Sequence, residues 1–439
     1  MKKPVLNKEK ASLRLCSASM LLYSFWLLLP AVQTLGGAIC GAAALALFVA
    51  GLLLDAEEWK AHWKLLIVQG ACALAMPLVL YVFLRRGGTS LPGFYAQNLM
   101  LWYPLIFASY ALRKEDKTLW RYAKIVLIAL MLITTLTTIG WMCQGLTVKK
   151  LFHTYPRMLG SGATAPETAR KLMLRNIGGY DFVYAAVMAI PLLCVGIHAS
   201  KGWKRVGYLG FLALVLVMIV MSQYTYAMVY AAIVLVVELT ALAVRKIFRI
   251  KLGTSLLIGL LSLVIIFLLR EPIVSLGIWS ADKLKMREMR NNLRRLLKML
   301  QGTSIATGNR LDHYVLAWEG FKASPVIGTL FTAEKQLSQH SELLDLLSGM
   351  GVVGTALVGI MIGIMQQGLW KGAKKSAMFP HLVLMGAALL MLSTFGTSFY
   401  SRDVYLVYAM GLLLVGSEAV TPFPGPGEGS SDTLQTTGE

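Results

Sequence analysis

Two adjoining stretches hold the residues with the most chemistry in them. TGNRLDHYVLAWEGFKASPVIG (307–328) is followed, after a short linker, by QHSELLDLLSGMGVVG (339–354). Arg310 offers a permanently charged planar fork that grips phosphate in two places. His340 offers a ring whose charge changes near neutral pH, suited to taking a proton from a hydroxyl. His340, Leu344, Leu347, Gly351 and Gly354 recur at i, i+4, i+7, i+11 and i+14, one face of a helix. The glycines predict close approach by a neighbouring segment. Ser338 or Ser341 is placed to cap that helix. Glu342 and Asp345 lie off the His340 face and read as charges at a helix N-terminus. A structural role and a chemical role both fit a histidine so placed.

The elements that must position these residues are transmembrane helices. The chain has 439 residues, of which 56% are hydrophobic and only 15% charged, with a mean hydropathy of +0.64. Runs near 20 apolar residues match a bilayer core of about 30 Å. About twelve spans are expected, at roughly 13–34, 36–54, 65–84, 98–112, 125–143, 180–199, 207–222, 225–243, 253–270, 346–366, 381–397 and 403–418. The expected fold is an all-α polytopic bundle, one integral membrane domain over 1–418. A Pro-, Gly- and Ser-rich tail over 419–439 reads as disordered and cytoplasmic. A retained first helix fits better than a cleaved signal peptide, because its apolar run is long and a second span follows at once. The five cysteines show no paired spacing and read as small core residues.

The net charge of +20 divides by location. With the N-terminus inside, the short loops at 113–124, 201–205, 245–251 and 371–375 are basic, as the positive-inside rule requires. The 55–64 loop, DAEEWKAHWK, departs from it. Two long loops on the other face, roughly 144–179 and 271–345, are basic as well, with short helices expected inside the second. The first carries Lys149, Lys150, His153, Arg157, Arg170, Lys171 and Arg175; the second carries DKLKMREMRNNLRRLLKML (282–300) and Arg310. Positive charge there opposes the orientation signal. An anionic ligand at the outer surface accounts for it, and so do anionic lipid headgroups. Within 282–300 an apolar stripe opposes a basic face, which suits either the membrane interface or packing on the bundle. The spans themselves read as nearly free of ionisable residues.

The ordered set Arg310, Trp318, Pro325, Gly328, His340, Ser341, Leu344, Gly351 and Gly354 resembles the O-antigen ligase and polymerase superfamily of bacterial membrane enzymes. That family's pattern runs Arg, a Trp-containing helix, Pro-x-x-Gly, His-(Asn/Ser/Gln)-x-x-Leu and Gly-x-x-Gly. The match covers about 50 residues. A second echo lies in LRNIGGYDFVYAAVMAIP (174–191), where Arg175 and glycines precede a transmembrane helix. The chain departs there with Gly-Tyr-Asp in place of the family's Asn-Pro-Asn. It also lacks the family's later Ser-Arg, reading MSQYTYA at 221–227; Arg402 in FYSRDVY is the nearest substitute.

The resemblance implies a metal-independent, inverting glycosyltransferase of the cytoplasmic (inner) membrane with its active site outward. The donor would be an undecaprenyl-pyrophosphate-linked glycan and the acceptor a glycan or lipid-core hydroxyl, with membrane lipids as surroundings. Arg175 and Arg310 would grip the pyrophosphate, with Arg157 and Arg402 as further anion contacts. His340 would either take the acceptor proton or hold the pyrophosphate. No cofactor is implied, since the donor is already activated. From the residues alone, the chain has no Asp-x-Asp, no ligand-spaced metal cluster, no phosphate-binding glycine loop and no nucleic-acid motif. The alternatives are a transporter of lipid-linked glycans, which would share the helix count and an anion-binding surface, and a non-catalytic envelope-assembly protein.

Overall fold

The computed structural model describes residues 8–84, 91–144, 155–160, 164–248, 251–301, 309–329, 337–338, 340–376, 378–395 and 401–420. Lys149, Lys150, His153 and the tail from 421 lie outside the described residues. In chain order the helices are α1 (Lys8–Leu28), α2 (Pro30–Leu54), α3 (Ala56–Leu84), α4 (Leu91–Lys114), α5 (Lys117–Cys143), α6 (Tyr155–Gly160), α7 (Pro166–Leu174), α8 (Tyr180–Ala199) and α9 (Gly202–Ser222). Then come α10 (Thr225–Phe248), α11 (Leu252–Leu268), α12 (Arg270–Lys283), α13 (Arg287–Leu300), α14 (Asn309–Ala323), α15 (Glu342–Met365), α16 (Leu369–Ala373), α17 (Phe379–Phe395) and α18 (Arg402–Val420).

Among the described residues every regular element is a helix, so the fold is all-α. Helices satisfy their own backbone groups, which is what a lipid solvent demands. Eight of them are long and apolar enough to cross a membrane: α1, α2, α3, α5, α8, α9, α10 and α15. The other four expected spans fall on α4, α11, α17 and α18, two of which, α11 and α17, are shorter apolar helices. Helices α8 and α18 form the centre. Each is buried along most of its length, and they pack on one another. The outer helices turn residues such as Leu35, Ile39 and Leu53 outward, as lipid contact requires.

Small residues bring α1 and α2 together. The Ser12 hydroxyl donates to the Gly51 carbonyl at 2.8 Å, and Ser19 bonds the Ala44 carbonyl. A Cβ on Gly51 would strike Cys16 Sγ. Where lipid removes the hydrophobic drive between helices, such close contacts and hydrogen bonds hold them.

One end of the bundle carries a polar network that resolves the exception at 55–64. Asp55 accepts from Tyr110 at 2.9 Å and pairs with Lys114 at 2.6 Å. Glu58 pairs with Arg113 at 2.7 Å. Gln69 then donates to the Met365 carbonyl at 3.1 Å, tying α3 to the end of α15. The acidic loop thus neutralises a basic one, and α2, α3, α4 and α15 are fastened at one level.

The structure differs from the sequence reading at the cysteines and inside the spans. All five cysteines are free, but Cys143 is exposed rather than in the core. The spans also hold a buried pair of ionisable residues, Glu238 in α10 with His381 in α17. Single ionisable residues inside long apolar runs leave no periodic signal.

Candidate functional site

The Pro-x-x-Gly segment and the glycine helix form one unit. Ser324 to Thr329 makes a turn closed by the Gly328 amide on the Ser324 carbonyl at 2.8 Å, with Gly328 at φ +65°. Helix α15 breaks at Gly351, whose φ of 65° and ψ of −169° lie outside the helical region. The break frees the amides of Val352 and Val353. They donate instead to the carbonyls of Pro325 at 2.9 Å and Val326 at 3.1 Å. The Ser348 carbonyl, which Val352 would have used, accepts the Thr329 amide at 2.8 Å. The two amides and the Ser348 carbonyl thus exchange their intrahelical bonds for bonds to the turn. Gly354 sits just past the kink, where an added Cβ would press on the Met350 side chain.

His340 sits just before α15. Ser341 is the N-cap, its hydroxyl accepting the Leu344 amide at 3.2 Å. Ser338 accepts the amides of His340 at 3.1 Å and Ser341 at 2.8 Å, while Asp345 accepts the Ser338 amide. The acidic residue therefore belongs to the helix N-terminus, as expected. The expectation of one continuous face from His340 to Gly354 is corrected: the histidine precedes the helix and the Gly351 break changes the register. What holds His340 is α14. The His313 ring meets the His340 ring edge-on at 5.3 Å, and the Tyr314 hydroxyl lies 3.4 Å from the His340 carbonyl. Arg310 lies on α14 three residues before His313, and its side chain is outside the described residues. Trp318, half-exposed, packs on Phe321 of the same helix at 5.2 Å. Glu319 pairs with Lys322 at 2.7 Å.

The other three arginines gather near the start of α8. The Arg175 guanidinium lies 4.4 Å from the centroid of the Trp141 ring. Its neighbour Asn176, at φ 57°, donates to the hydroxyls of Thr134 and Thr137, both at 3.2 Å. Thr137 returns a bond to the Asn176 carbonyl at 2.8 Å, and the Gly178 amide donates to Thr138 at 2.9 Å. The loop before α8 is thus fastened to a threonine stripe on α5. Arg157 on α6 donates to the Gln223 carbonyl at 3.0 Å, at the C-terminal end of α9, where a cation is favoured. The Arg402 guanidinium lies 4.8 Å over Trp26, and its charge acts on Asp181, which the Ser401 side chain also engages.

The described contacts therefore divide the expected site into two groups. One joins His340, Ser341, Pro325, Gly328 and Gly351 through α14 and α15. The other sets Arg157, Arg175 and Arg402 on the elements around the start of α8. Sequence reasoning passed over His313, Trp141, Asn176 and the threonines of α5. His313 was legible, since it falls one helical turn after Arg310. The threonine stripe, ITTLTT, read only as part of an apolar span.

No family model matches this chain, and no curated protein matches it.

Proposed function

We propose that the chain is a membrane glycosyltransferase similar to the O-antigen ligases and polymerases, built on about twelve spans. In this reading it transfers a glycan from undecaprenyl pyrophosphate to an acceptor sugar hydroxyl at the outer face of the bacterial cytoplasmic membrane. The observation that carries the proposal is the union of Pro325, Gly328 and Gly351. Segments some twenty residues apart, picked out by their family-like order, meet through three backbone hydrogen bonds on the helix that His340 precedes. A union of this kind suits a segment that must be held rigidly next to a reacting group.

The chemistry follows from the residue types. The acceptor oxygen attacks the sugar carbon that bears the pyrophosphate, the carbon–oxygen bond to phosphate breaks, and the configuration inverts. Negative charge grows on the departing lipid pyrophosphate, and fixed guanidinium groups such as Arg175 and Arg310 stabilise it. His340 takes the acceptor proton or binds the leaving group. Loss of the acidic limb of the pH–rate profile in His340→Gln would mark it as the base.

The test is transfer by the purified protein in nanodiscs with undecaprenyl-pyrophosphate glycan. Longer chains with the donor alone mean a polymerase, and release that needs a separate acceptor means a ligase. His340→Ala and Arg310→Ala should abolish either while the protein is still made. Wild-type turnover in either variant would sink the assignment. A transporter of the same lipid-linked glycans is the second reading, and the buried Glu238–His381 pair favours it, since charges inside spans mark ion pathways. Glycan-lipid movement across liposomes without turnover would establish it.

A further inference from the structure

The buried pair has a third member that neither reading uses. Glu238 Oε1 and His381 Nδ1 lie 2.7 Å apart, and both side chains are 1% exposed. The His198 ring, on α8, lies 5.4 Å from the His381 ring. His198 is the last residue but one of α8 and is half-buried. His381 is the third residue of α17. Glu238 is ten residues short of the α10 terminus at Phe248, roughly 15 Å in at 1.5 Å per residue. Arg205 and Arg245 act on His198, and their positive charges work against a proton resting there, which leaves the His381–Glu238 contact as the resting place. One turn before His198, the Cys194 thiol also feels Glu238.

A carboxylate in lipid-packed protein costs several kcal/mol unless a partner compensates it. Glu238 has one partner on one oxygen. Its Oε2, the Nε2 of His381 and the Nε2 of His198 are buried with no hydrogen-bond partner among the described residues. Three neighbouring titratable side chains, each with an open site, are more than a fixed ion pair needs. No group of three or more such side chains among the described residues is arranged to hold a metal ion. The small cation that fits is the proton.

We propose that His198, His381 and Glu238 form a proton-binding site inside the bundle, filled and emptied from the basic end. A proton taken up at His198 crosses the gap between the rings, by a ring rotation or one bridging water. His381 then shares it with Glu238 across the 2.7 Å contact. The pair is neutral when it holds one proton, whether written as carboxylate with imidazolium or as acid with imidazole. Losing that proton leaves a bare carboxylate between α10, α17 and α8, so occupancy is coupled to how those helices pack. The proposal goes beyond the glycan chemistry and stands whichever of the two functional readings holds.

The test is an infrared pH titration of the full-length protein in nanodiscs, following the carboxyl and carboxylate stretches from about pH 5 to about pH 8. The expected result is a pH-dependent carboxyl or carboxylate band that Glu238→Gln removes and His381→Gln moves to a different titration range. A band that does not respond to pH, or an identical titration in His381→Gln, overturns the proposal. Wild-type protein labelled with 15N-histidine gives a check that needs no variant to fold. The His381 ring signals should move across the same range, and the His198 signals should shift with them through the 5.4 Å ring contact. A stationary His381 ring, or a His198 ring blind to the His381 titration, overturns it as well.

Discussion

Gly328 and Gly351 meet backbone to backbone, each at a φ of +65°. A Cβ on Gly328 would lie 2.5 Å from the Gly351 amide nitrogen, and a Cβ on Gly351 would lie 2.5 Å from that of Ile327. The obstacles are main chain, which cannot swing away. Alanine at either position adds this overlap to a backbone cost on the order of 1–3 kcal/mol for a conformation that L side chains rarely adopt. Gly328→Ala and Gly351→Ala should each lower the unfolding midpoint in detergent and remove activity with it. Gly359→Ala, with open space at its Cβ on the same helix, is the control and should be neutral or slightly stabilising. An unchanged midpoint in Gly351→Ala would show that the kink is dispensable.

Asn176 combines two demands. Its φ of 57° favours Asn or Gly, and its amide nitrogen serves Thr134 and Thr137. Asn176→Gly keeps the backbone and drops both bonds, at about 1–3 kcal/mol for the groups left open. Asn176→Ala should cost more, because it loses the backbone freedom as well. Thermal unfolding of the two variants side by side tests the order, and equal losses would mean that only the bonds matter.

Arg175 over Trp141 is a planar cation on an aromatic face, which lysine reproduces poorly. In the proposed reaction Arg175→Lys should lose transition-state stabilisation, on the order of tenfold or more in kcat, and Arg175→Ala on the order of a hundredfold or more. Trp141→Leu should give an intermediate loss by releasing the guanidinium. Single-turnover measurements with a lipid pyrophosphate donor would show it. Full turnover in Arg175→Ala would remove this loop from the site.

Most of the helices were legible because apolar runs of bilayer length repeat along the chain, and α8 and α10 begin within a residue or so of the expected spans. The site was legible only as a list. Arg310, Pro325, Gly328 and His340 stand in order in the sequence. That Pro325 and Val326 accept the amides freed at Gly351 depends on a break in α15 that the apolar pattern passes straight through. Distant pairings such as Arg157 with Gln223, or Glu238 with His381, depend on which helices become neighbours. Hydropathy carries no information on that, since every lipid-spanning helix is apolar on most faces.

The hairpin of α12 and α13 gives the last prediction, and it concerns pH. Asp282 and Arg290 pair across the turn at 2.6 Å, while Ala281 and Met286 are buried beneath it. The hydrogen bond from Arg290 holds the Asp282 carboxyl below its ordinary value of 3.8. A carboxylate depressed in the folded state contributes stability that is complete above the unfolded value and lost as pH falls through the folded one. Mild acidification from neutral pH should therefore leave the hairpin unchanged, and only acid below 3.8 should loosen it. Because both groups face solvent, high salt should weaken the pair at neutral pH. Amide hydrogen exchange over 284–290 reads this directly. Asp282→Asn at neutral pH should reproduce the acid result, with faster exchange confined to the turn and no change in the global unfolding midpoint. Exchange that speeds up on mild acidification would mean that another group, not Asp282, governs the turn.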